Sequence, residues 1–335
     1  MVSQGKMIRI LIRSWAVFTM IASGFGCAPS SEKMESFVVA YAPFESIGLL
    51  SIAEDQQLFS RNGVDVTLRK YDTGASALDG MLNGEADLAV GSNEFPLVGR
   101  AFHKARICTI GSIAKSEFIY LVGRRDRGIE MISDLKGKRV GTTFGTIAEF
   151  FLGRFLELHG MSIKDITMVN LKAPAEWVVA VVNGDIDAVA TAQPYANSVK
   201  DRLGDNAVIW SVQSNQPMFT QVISTDEWVT KHPELVRKIL RSLAQAEEYT
   251  ILNPAEARAI IQKRLNLDAA YMETVWSQNQ YYLSLDQSLI VAMEDEARWM
   301  IKNGLTNEKE IPDFSKFIHE DGLKAIMPEM VTIVR

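Results

Sequence analysis

The stretches MLNGEADLAVGSNEFP (residues 81–96) and VVNGDIDAVATAQPY (residues 181–195) repeat one pattern, from which the fold can be predicted. In each copy an apolar helical run ends at Asn-Gly, and an acid, an aspartate and a short apolar strand follow. Glycine after a helix suits the left-handed conformation that ends many helices. Each strand then runs into small polar residues and a proline. Ligands collect outside the carboxyl ends of strands in open α/β sheets, so the repeat predicts two α/β lobes facing one ligand.

The sequence around each copy alternates strands and helices. Residues 37–91 and residues 139–192 both follow the order β-α-β-α-β, which is typical of a parallel sheet with crossover helices. From Asp226 onward the pattern is almost wholly helical. We therefore predict an α/β fold with two doubly wound sheets, a two-segment hinge, and a helical C-terminal tail that packs mainly on the first lobe. Such lobes commonly close on a ligand held between them.

The second α/β unit is nested within the first, and this nesting sets the predicted domain boundaries. We expect the chain to leave lobe one near Val122–Gly128 and to return near Gln213–Gln221. Lobe one then consists of residues 37–122 and 222–335, and lobe two of residues 123–221.

The N-terminus has the features of an export signal. Basic residues precede an apolar stretch, Trp15–Phe25, which is too short to span a bilayer, and Gly26-Cys27 follows. We interpret residues 1–26 as a signal peptide, Cys27 as a lipidated cysteine and residues 27–36 as a tether to the membrane. The residues before Cys27 depart from the usual lipoprotein motif, which carries leucine three places earlier. Ordinary cleavage near Gly26 with a free Cys27 is the alternative.

Composition argues against several classes of protein. The net charge is −6 with acids and bases interspersed, so we expect no nucleic-acid partner. Cys108 is the one cysteine besides Cys27, lies in an apolar run, and is expected to be buried and inert. The four histidines are far apart, and no phosphate-binding glycine loop occurs. We predict a monomer that is not an enzyme and holds no metal or cofactor.

Several motifs follow one another in a familiar order over residues 37–225. They are Asn62-Gly63-Val64-Asp65-Val66, Leu82–Ala89, Asp134–Gly141, Gly145-Thr146, Val182–Ala188 and Gln193-Pro194-Tyr195. In these motifs the chain resembles the periplasmic substrate-binding proteins of ABC importers, in the group with alkanesulfonate-, taurine- and nitrate-binding proteins and thiamine-pyrimidine binders. The resemblance implies a type II periplasmic-binding-protein fold that closes on a small solute and delivers it to a membrane permease.

Polar residues at strand exits and helix starts are the candidate ligand contacts. Gly145 and Thr146 precede a helix whose free N–H groups suit anionic oxygens, and the resemblance also places contacts in this loop. Thr146 as a simple N-cap is the alternative. The strand exits of the two repeats add two short polar pairs, for which turn formation is the alternative: Ser92 and Asn93, Thr191 and Gln193.

Phe44, Glu45 and Trp177 complete the predicted site. Phe44 is expected to wall the pocket, and Trp177 to line the cleft, with core packing as the alternative for each. Glu45 follows the first strand and could accept a hydrogen bond from a ligand amine, or be a solvated acid at a helix start. If Glu45 or Glu94 faces the cleft, a dianion is a poor ligand, and a zwitterion or a neutral nitrogenous ring fits better.

The resulting hypothesis is a lipid-anchored, extracytoplasmic solute-binding component of an ABC importer. The solute is expected to be a sulfonate, taurine, a nitrate-like ion or a related nitrogen or sulfur compound. Import of a thiamine-precursor pyrimidine is one alternative, and a ligand-sensing lipoprotein that acts on a sensor kinase is another.

Overall fold

Two mixed β-sheets organise residues 34–334, the part of the chain that the computed structural model describes. The first sheet has the order β11-β4-β10-β3-β1-β2 and is formed by β1 (Glu35–Tyr41), β2 (Val64–Lys70), β3 (Leu88–Ser92), β4 (Ile107–Ser116), β10 (Met218–Thr225) and β11 (Asn279–Gln280). The second has the order β7-β6-β8-β5-β9 and is formed by β5 (Ile119–Arg124), β6 (Arg139–Thr142), β7 (Thr167–Asn170), β8 (Ala188–Ala192) and β9 (Ala207–Ser211).

Helices connect these strands and form the tail. Those within the two α/β units are α1 (Gly48–Asp55), α2 (Leu58–Arg61), α3 (Gly74–Leu82), α4 (Glu94–Phe102), α5 (Ile147–Leu158), α6 (Pro174–Asn183) and α7 (Tyr195–Leu203). The tail comprises α8 (Asp226–Lys231), α9 (Pro233–Leu252), α10 (Pro254–Leu265), α11 (Ala269–Trp276), α12 (Gln287–Asn303) and α13 (Asp321–Lys324). Among residues 34–334 no helix is both long and apolar enough to cross a membrane.

The predicted β-α-β-α-β units are confirmed in both sheets. Strand β1 pairs in parallel with β2 and β3, and β6 pairs in parallel with β7 and β8. Antiparallel strands complete each sheet, because β10 pairs with β3 and β4, and β5 pairs with β8 and β9. The two-lobed α/β architecture is therefore the one that the sequence predicted.

The aspartates of the repeated pattern hold the start of each unit together. The Asp87 carboxylate accepts the N–H of Val38 in β1 (2.7 Å), and the Asp187 carboxylate accepts the N–H of Arg139 in β6 (2.9 Å). Each aspartate also donates its own N–H to the carbonyl of the same partner residue. Gly84 and Gly184 have φ of 77° and 81°, a left-handed conformation that favours glycine. The repeat thus encodes strand register as well as helix ends.

Two short segments connect the sheets. The first is Glu117-Phe118, between β4 and β5, and the second is residues 212–217, between β9 and β10. The Gln213 side chain ties them together, because it accepts the Ile119 N–H (2.8 Å) and donates to the Ser116 carbonyl (3.0 Å).

The predicted lobe boundary at residue 122 falls inside β5, which pairs with strands of the second sheet. The predicted return at residue 221 falls inside β10, which pairs with strands of the first sheet. By sheet membership the first crossing lies at Glu117-Phe118, several residues before the predicted Val122–Gly128. The second lies at residues 212–217 and overlaps the predicted return near Gln213–Gln221. The first difference arises because β5 was assigned to the first lobe, and at the second crossing β10 begins earlier than predicted.

Four helices differ from the predicted pattern. The predicted helix from Ile47 to Phe59 is interrupted at Gln57, whose φ is 55°. The predicted helix Asp268–Leu283 ends at Trp276, since the following residues pair with the edge of β4 as β11. The short helices α4 and α7, which begin directly after the two polar strand exits, were not predicted.

The tail also contacts the second lobe more than predicted. The Trp299 ring of α12 packs on Gly153 and Phe150 of α5, with a centroid distance of 5.6 Å to Phe150. Ion pairs join the same two helices, Lys302 with Glu157 at 3.0 Å and Arg154 with Asp295 at 3.6 Å. Helix α12 is thus a third bridge between the lobes.

Candidate ligand-binding site

A cavity of about 60 Å³ lies between the two sheets. Its walls come from both lobes, from the first connecting segment and from the start of β10. They are formed by Phe44, Ser46, Thr73, Gly74, Ala75, Gly91, Asn93 and Pro96 of the first lobe, Ile119, Thr146, Ile147, Ala148, Trp177 and Ala192 of the second, and Phe118 and Met218 at the crossings. A buried water needs about 10–15 Å³, so the space admits a solute of about half a dozen non-hydrogen atoms.

The first turns of three helices form part of this wall. Gly74 and Ala75 open α3, Pro96 lies in the first turn of α4, and Ile147 and Ala148 open α5. The caps of α4 and α5 make no side-chain hydrogen bond to their helices. First-turn N–H groups carry partial positive charge, so the cavity is suited to an anionic group.

Aromatic and aliphatic side chains form the rest of the wall. The rings of Phe44 and Phe118 are stacked, with centroids 6.4 Å apart and an interplanar angle of 21°. Trp177 is buried, and its Nε1 donates to Thr143 Oγ1 at 3.0 Å, which fixes the indole at the cavity. Within the described part of the chain, the lining residues carry no charged side chain. A ligand therefore meets helix ends and an apolar wall, and no lysine or arginine.

Four of the nine predicted contacts line the cavity, namely Phe44, Asn93, Thr146 and Trp177. Asn93 is the N-cap of α4, and its buried Oδ1 has no hydrogen-bond partner within residues 34–334. Thr146 is the N-cap of α5, and its hydroxyl donates to the Thr143 carbonyl at 2.7 Å. Trp177 combines the two interpretations that were weighed for it, because it is buried and also forms cavity wall.

The other predicted residues lie behind the wall. Ser92 and Thr191 are buried at the strand exits, directly beside the lining residues Asn93 and Ala192. The N–H of Gly145 donates to the Glu149 carboxylate at 2.7 Å, so this donor is already used within the protein. The Gln193 amide caps the start of α7, where its Oε1 accepts the Asn197 N–H at 3.1 Å.

Glu45 is buried between lobe one and the tail. Its side chain is 1 % exposed, Oε1 accepts the Tyr271 hydroxyl, and its backbone carbonyl accepts the Tyr281 hydroxyl at 3.0 Å. Within the described residues Oε2 has no hydrogen-bond partner. Burial raises the pKa of Glu45 from 4.5 to about 8, and a backbone hydrogen bond opposes the shift.

Glu94 is equally buried but belongs to a carboxyl pair. At the start of α4 it accepts the Phe219 N–H at 2.9 Å, and it faces Glu296 of α12. Burial raises the pKa of Glu94 to about 7, and burial together with the charge of Glu94 raises the pKa of Glu296 well above its usual range. The pair lies at the contact between α4 of the first lobe and α12 of the tail.

Most of the additional wall residues were missed because they are small or apolar. The missed residues are Ser46, Thr73, Gly74, Ala75, Gly91, Pro96, Phe118, Ile119, Ile147, Ala148, Ala192 and Met218. Gly74-Ala75 and Ile147-Ala148 follow strand exits, as the predicted residues do. Their position in the first turn of a helix could have predicted them as lining residues. Phe118 and Met218 became visible only when the crossings were located.

Comparison with known proteins agrees with this architecture. The family model described as NMT1/THI5 like matches residues 45–257. The chain is 25 % identical over 242 residues to a protein of Brucella abortus (strain 2308) named as a binding protein, covering 70 % of this chain and 72 % of that one. It is 26 % identical over 212 residues to the taurine-binding periplasmic protein of Escherichia coli (strain K12), covering 61 % and 63 %.

One further relative is an enzyme, and one solved structure shows the fold. The 4-amino-5-hydroxymethyl-2-methylpyrimidine phosphate synthase of Aspergillus parasiticus is 25 % identical over 224 residues, covering 62 % of this chain and 64 % of the enzyme. The alkanesulfonate-binding protein SsuA from Xanthomonas axonopodis pv. citri, solved bound to MOPS, superposes with a TM-score of 0.72 at 19 % identity, covering 85 % of this chain and 98 % of that one. The chain belongs to the NMT1/THI5-like family and has the fold of its periplasmic solute-binding members.

Proposed function

We propose that this protein is the solute-binding component of an ABC importer and that its solute is a short organic sulfonate, taurine or a similar small anion. The solute is held in the cavity between the lobes, and the closed form is recognised by a membrane permease. A ligand that touches both lobes stabilises the closed form by its differential contacts.

The observation that carries this proposal is the composition of the cavity wall. The first turns of α3 and α5 come from opposite lobes, and both contribute to one cavity of about 60 Å³. Their partial positive charges suit a sulfonate group, and the rings of Phe44 and Trp177 suit a short carbon chain. The limited volume favours a small solute over a bulky one.

A pyrimidine of the thiamine pathway is the second candidate. The stacked rings of Phe44 and Phe118 favour a flat aromatic ligand, and one relative is named as a pyrimidine phosphate synthase. The small volume argues against a substituted ring unless the lobes move apart. We propose binding without catalysis, because the chain has only two cysteines, Cys27 and Cys108, and lacks the cysteine-rich motif of the pyrimidine synthases that share this fold.

The proposal also includes export of the protein and its attachment to the membrane through the N-terminus. The predicted signal peptide lies outside the described residues, as do Cys27 and most of the predicted tether. We propose that Cys27 carries a lipid that holds the protein at the outer face of the cytoplasmic membrane. Mass spectrometry of the mature N-terminus tests this, and an unmodified Cys27 would exclude it.

Isothermal titration of the purified protein with short alkanesulfonates, taurine, nitrate and a hydroxymethylpyrimidine tests the ligand class. We expect saturable binding of a sulfonate. Replacing Ala148 with Asp adds a charge and bulk at the α5 wall, and is expected to weaken sulfonate binding by 100-fold or more, on the order of the cost of an unpaired buried charge. Ser133→Asp adds the same charge at an exposed position at the opposite end of β6 and serves as the matched control. Saturable binding of none of these compounds would contradict the proposal.

A further inference from the structure

Helix α12 lies where the two lobes meet, and one of its aromatic side chains contacts both of them. The Trp299 ring has its centroid 6.1 Å from that of Phe95 in α4 of the first lobe, and 5.6 Å from that of Phe150 in α5 of the second. The rings of Phe95 and Phe150 also contact each other, with centroids 5.8 Å apart. All three side chains are buried, so a single aromatic cluster joins the lobes.

Two buried carboxyls lie next to this cluster. Glu94 directly precedes Phe95, and Glu296 lies one helical turn before Trp299. Glu94 accepts the Phe219 N–H at 2.9 Å and faces Glu296. Both oxygens of Glu296 are buried and have no hydrogen-bond partner among residues 34–334. Ionising a buried carboxyl that has no donor is costly, so the packed arrangement requires Glu296 to be neutral.

The charges around the pair favour the neutral form. Burial raises the pKa of Glu94 to about 7, and burial and then the charges of Glu94 and Asp295 raise the pKa of Glu296 well above its usual range. The cations of α4, α5, α12 and residues 314–317 pair with other acids: Arg100 with Asp79, Arg154 with Glu157 and Asp295, Lys302 with Glu157, Arg298 with Glu294 and Asp295, and Lys316 with Asp313. The remaining acid of these helices, Glu149, accepts the Gly145 N–H. A rising pH therefore places two like charges against each other between α4 and α12.

We propose that the Glu94–Glu296 pair is a proton-dependent switch on the contact between the lobes, which is intact while Glu296 is neutral and loosens when both carboxyls are ionised. Because the Trp299 ring packs on both Phe95 and Phe150, α12 cannot move away from Glu94 without disturbing its contact with α5. The switch acts on the lobes themselves and goes beyond the proposed function, since it requires no particular solute.

The direction of the switch follows from the raised pKa values of the two carboxyls. The intact contact binds more protons than the loosened one, in which the carboxyls are hydrated and have ordinary pKa values. The contact is therefore complete at acid pH and is lost as the pH rises above about 7, the pKa of Glu94 in the folded protein.

Spin labels on the two lobes test the switch without any solute. In a Cys27→Ser protein the buried Cys108 stays unlabelled, and cysteines that replace the exposed Ser60 of α2 and the exposed Ser133 of the second lobe carry the labels. Double electron–electron resonance measures the distance between them. We expect one distance at about pH 6 and a second, longer one above about pH 7, whose population relative to the first grows up to about tenfold per pH unit for each proton released. Labels at Ser60 and Asn83, both in the first lobe, should keep one distance throughout.

Substitutions in the same labelled protein separate the switch from a general effect of pH. Glu296→Gln is neutral at every pH and should keep the shorter distance up to about pH 9. Glu94→Gln retains an oxygen that can accept the Phe219 N–H and should behave in the same way, which gives a second variant if the first fails to fold. Glu294→Gln, at a partly exposed acid that pairs with Arg298, should respond like the unsubstituted protein.

Three results would overturn the inference. The first is an interlobe distance that does not change between about pH 6 and about pH 9 in the protein with both glutamates. The second is an equal lengthening in the Glu296→Gln or the Glu94→Gln variant. The third is a change of the distance within the first lobe over the same pH range, because this would show unfolding instead of lobe movement. None of these results bears on solute binding, so the proposed function is tested separately.

Discussion

Glu45 and Glu94 occupy equivalent positions in the sequence but have different hydrogen-bond partners in the folded protein. Each follows a strand of the first sheet, each stands at the start of a helical turn, and each is 1 % exposed. Glu94 accepts a backbone N–H and faces Glu296, so its environment is supplied by the protein itself. Glu45 accepts the Tyr271 hydroxyl on one carboxylate oxygen, and its other oxygen is buried with no hydrogen-bond partner among the described residues.

The difference shows that an acid at a strand exit is ambiguous until its surroundings are known. The Glu94–Glu296 pair lies between α4 and the tail helix α12, where burial raises the pKa of both carboxyls. Both oxygens of Glu296 have no hydrogen-bond partner among the described residues. At Glu45 a tyrosine hydroxyl takes the place of the second carboxyl as the facing group. The predictions below separate these two roles.

The largest expected effect is a loss of stability as the pH rises. The pKa values of Glu45 and Glu94 are about 8 and about 7 in the folded protein, above the usual 4.5. The folded state thus binds more protons than the unfolded state above about pH 4.5, so this stability is complete below that pH and is lost as the pH rises through the folded pKa values. At about 1.4 kcal/mol per pKa unit, the free energy of unfolding should fall by several kcal/mol between about pH 5 and pH 9. Urea unfolding across this range measures it, and a level or rising stability would contradict it.

Gly153→Ala tests the packing of α12 on α5 without changing the surroundings of Glu45. A Cβ at Gly153 would collide with the Trp299 ring, which lies one turn beyond Glu296. We expect a loss of about 1–3 kcal/mol in unfolding free energy, the usual cost of overpacking. Gly99→Ala in α4 is the matched control, because its nearest neighbour there would be the Met300 methyl at 3.9 Å. Equal stability of the two variants would show that α12 can shift to accommodate the added methyl group at no cost.

Glu296→Gln should weaken the part of the pH dependence of stability that comes from the Glu94–Glu296 pair, and leave the part from Glu45 unchanged. Removing one of two facing carboxyls ends their repulsion at alkaline pH, so the variant should be more stable than the wild type by about 1–2 kcal/mol near pH 9. Glu294→Gln, at a partly exposed acid that pairs with Arg298 on the same helix, should leave the pH dependence unchanged. Thermal unfolding at several pH values compares the three proteins. A variant that stays as pH-sensitive as the wild type would argue against the pair.

The smallest expected effect comes from the tyrosine that holds Glu45. Tyr271→Phe removes one hydroxyl donor to a carboxylate and should cost about 1 kcal/mol of unfolding free energy. It should also raise the apparent pKa of Glu45, since a donor to the charged form is lost. Tyr281→Phe removes a hydroxyl that donates to the backbone carbonyl instead, and should leave that titration nearly unchanged. NMR titration of the Glu45 carboxyl distinguishes the two variants, and identical shifts would contradict this assignment.

Elements with strong boundary residues could be predicted from sequence. Helix α9 (Pro233–Leu252) and strand β8 (Ala188–Ala192) have the predicted bounds, because proline begins the helix and the Asn-Gly turn precedes the strand. The tail residues 277–283 had helical character, yet Asn279 and Gln280 pair with the free edge of β4. An edge strand has unpaired N–H and C=O groups that can pair with a distant segment, and local propensity does not predict such pairing.

The family, the two β-α-β-α-β units and the polar strand exits could be predicted from the sequence alone, because hydrophobic periodicity and turn residues act over a few neighbouring positions. Folding determines where the chain crosses between the sheets, which strand exits reach the cavity and which acids have oxygens without a hydrogen-bond partner among the described residues. These outcomes depend on residues far apart in the chain, such as Tyr271 beside Glu45 and Glu296 beside Glu94. Burial and partners set the chemistry of an acid, and both are supplied by the packing of distant segments.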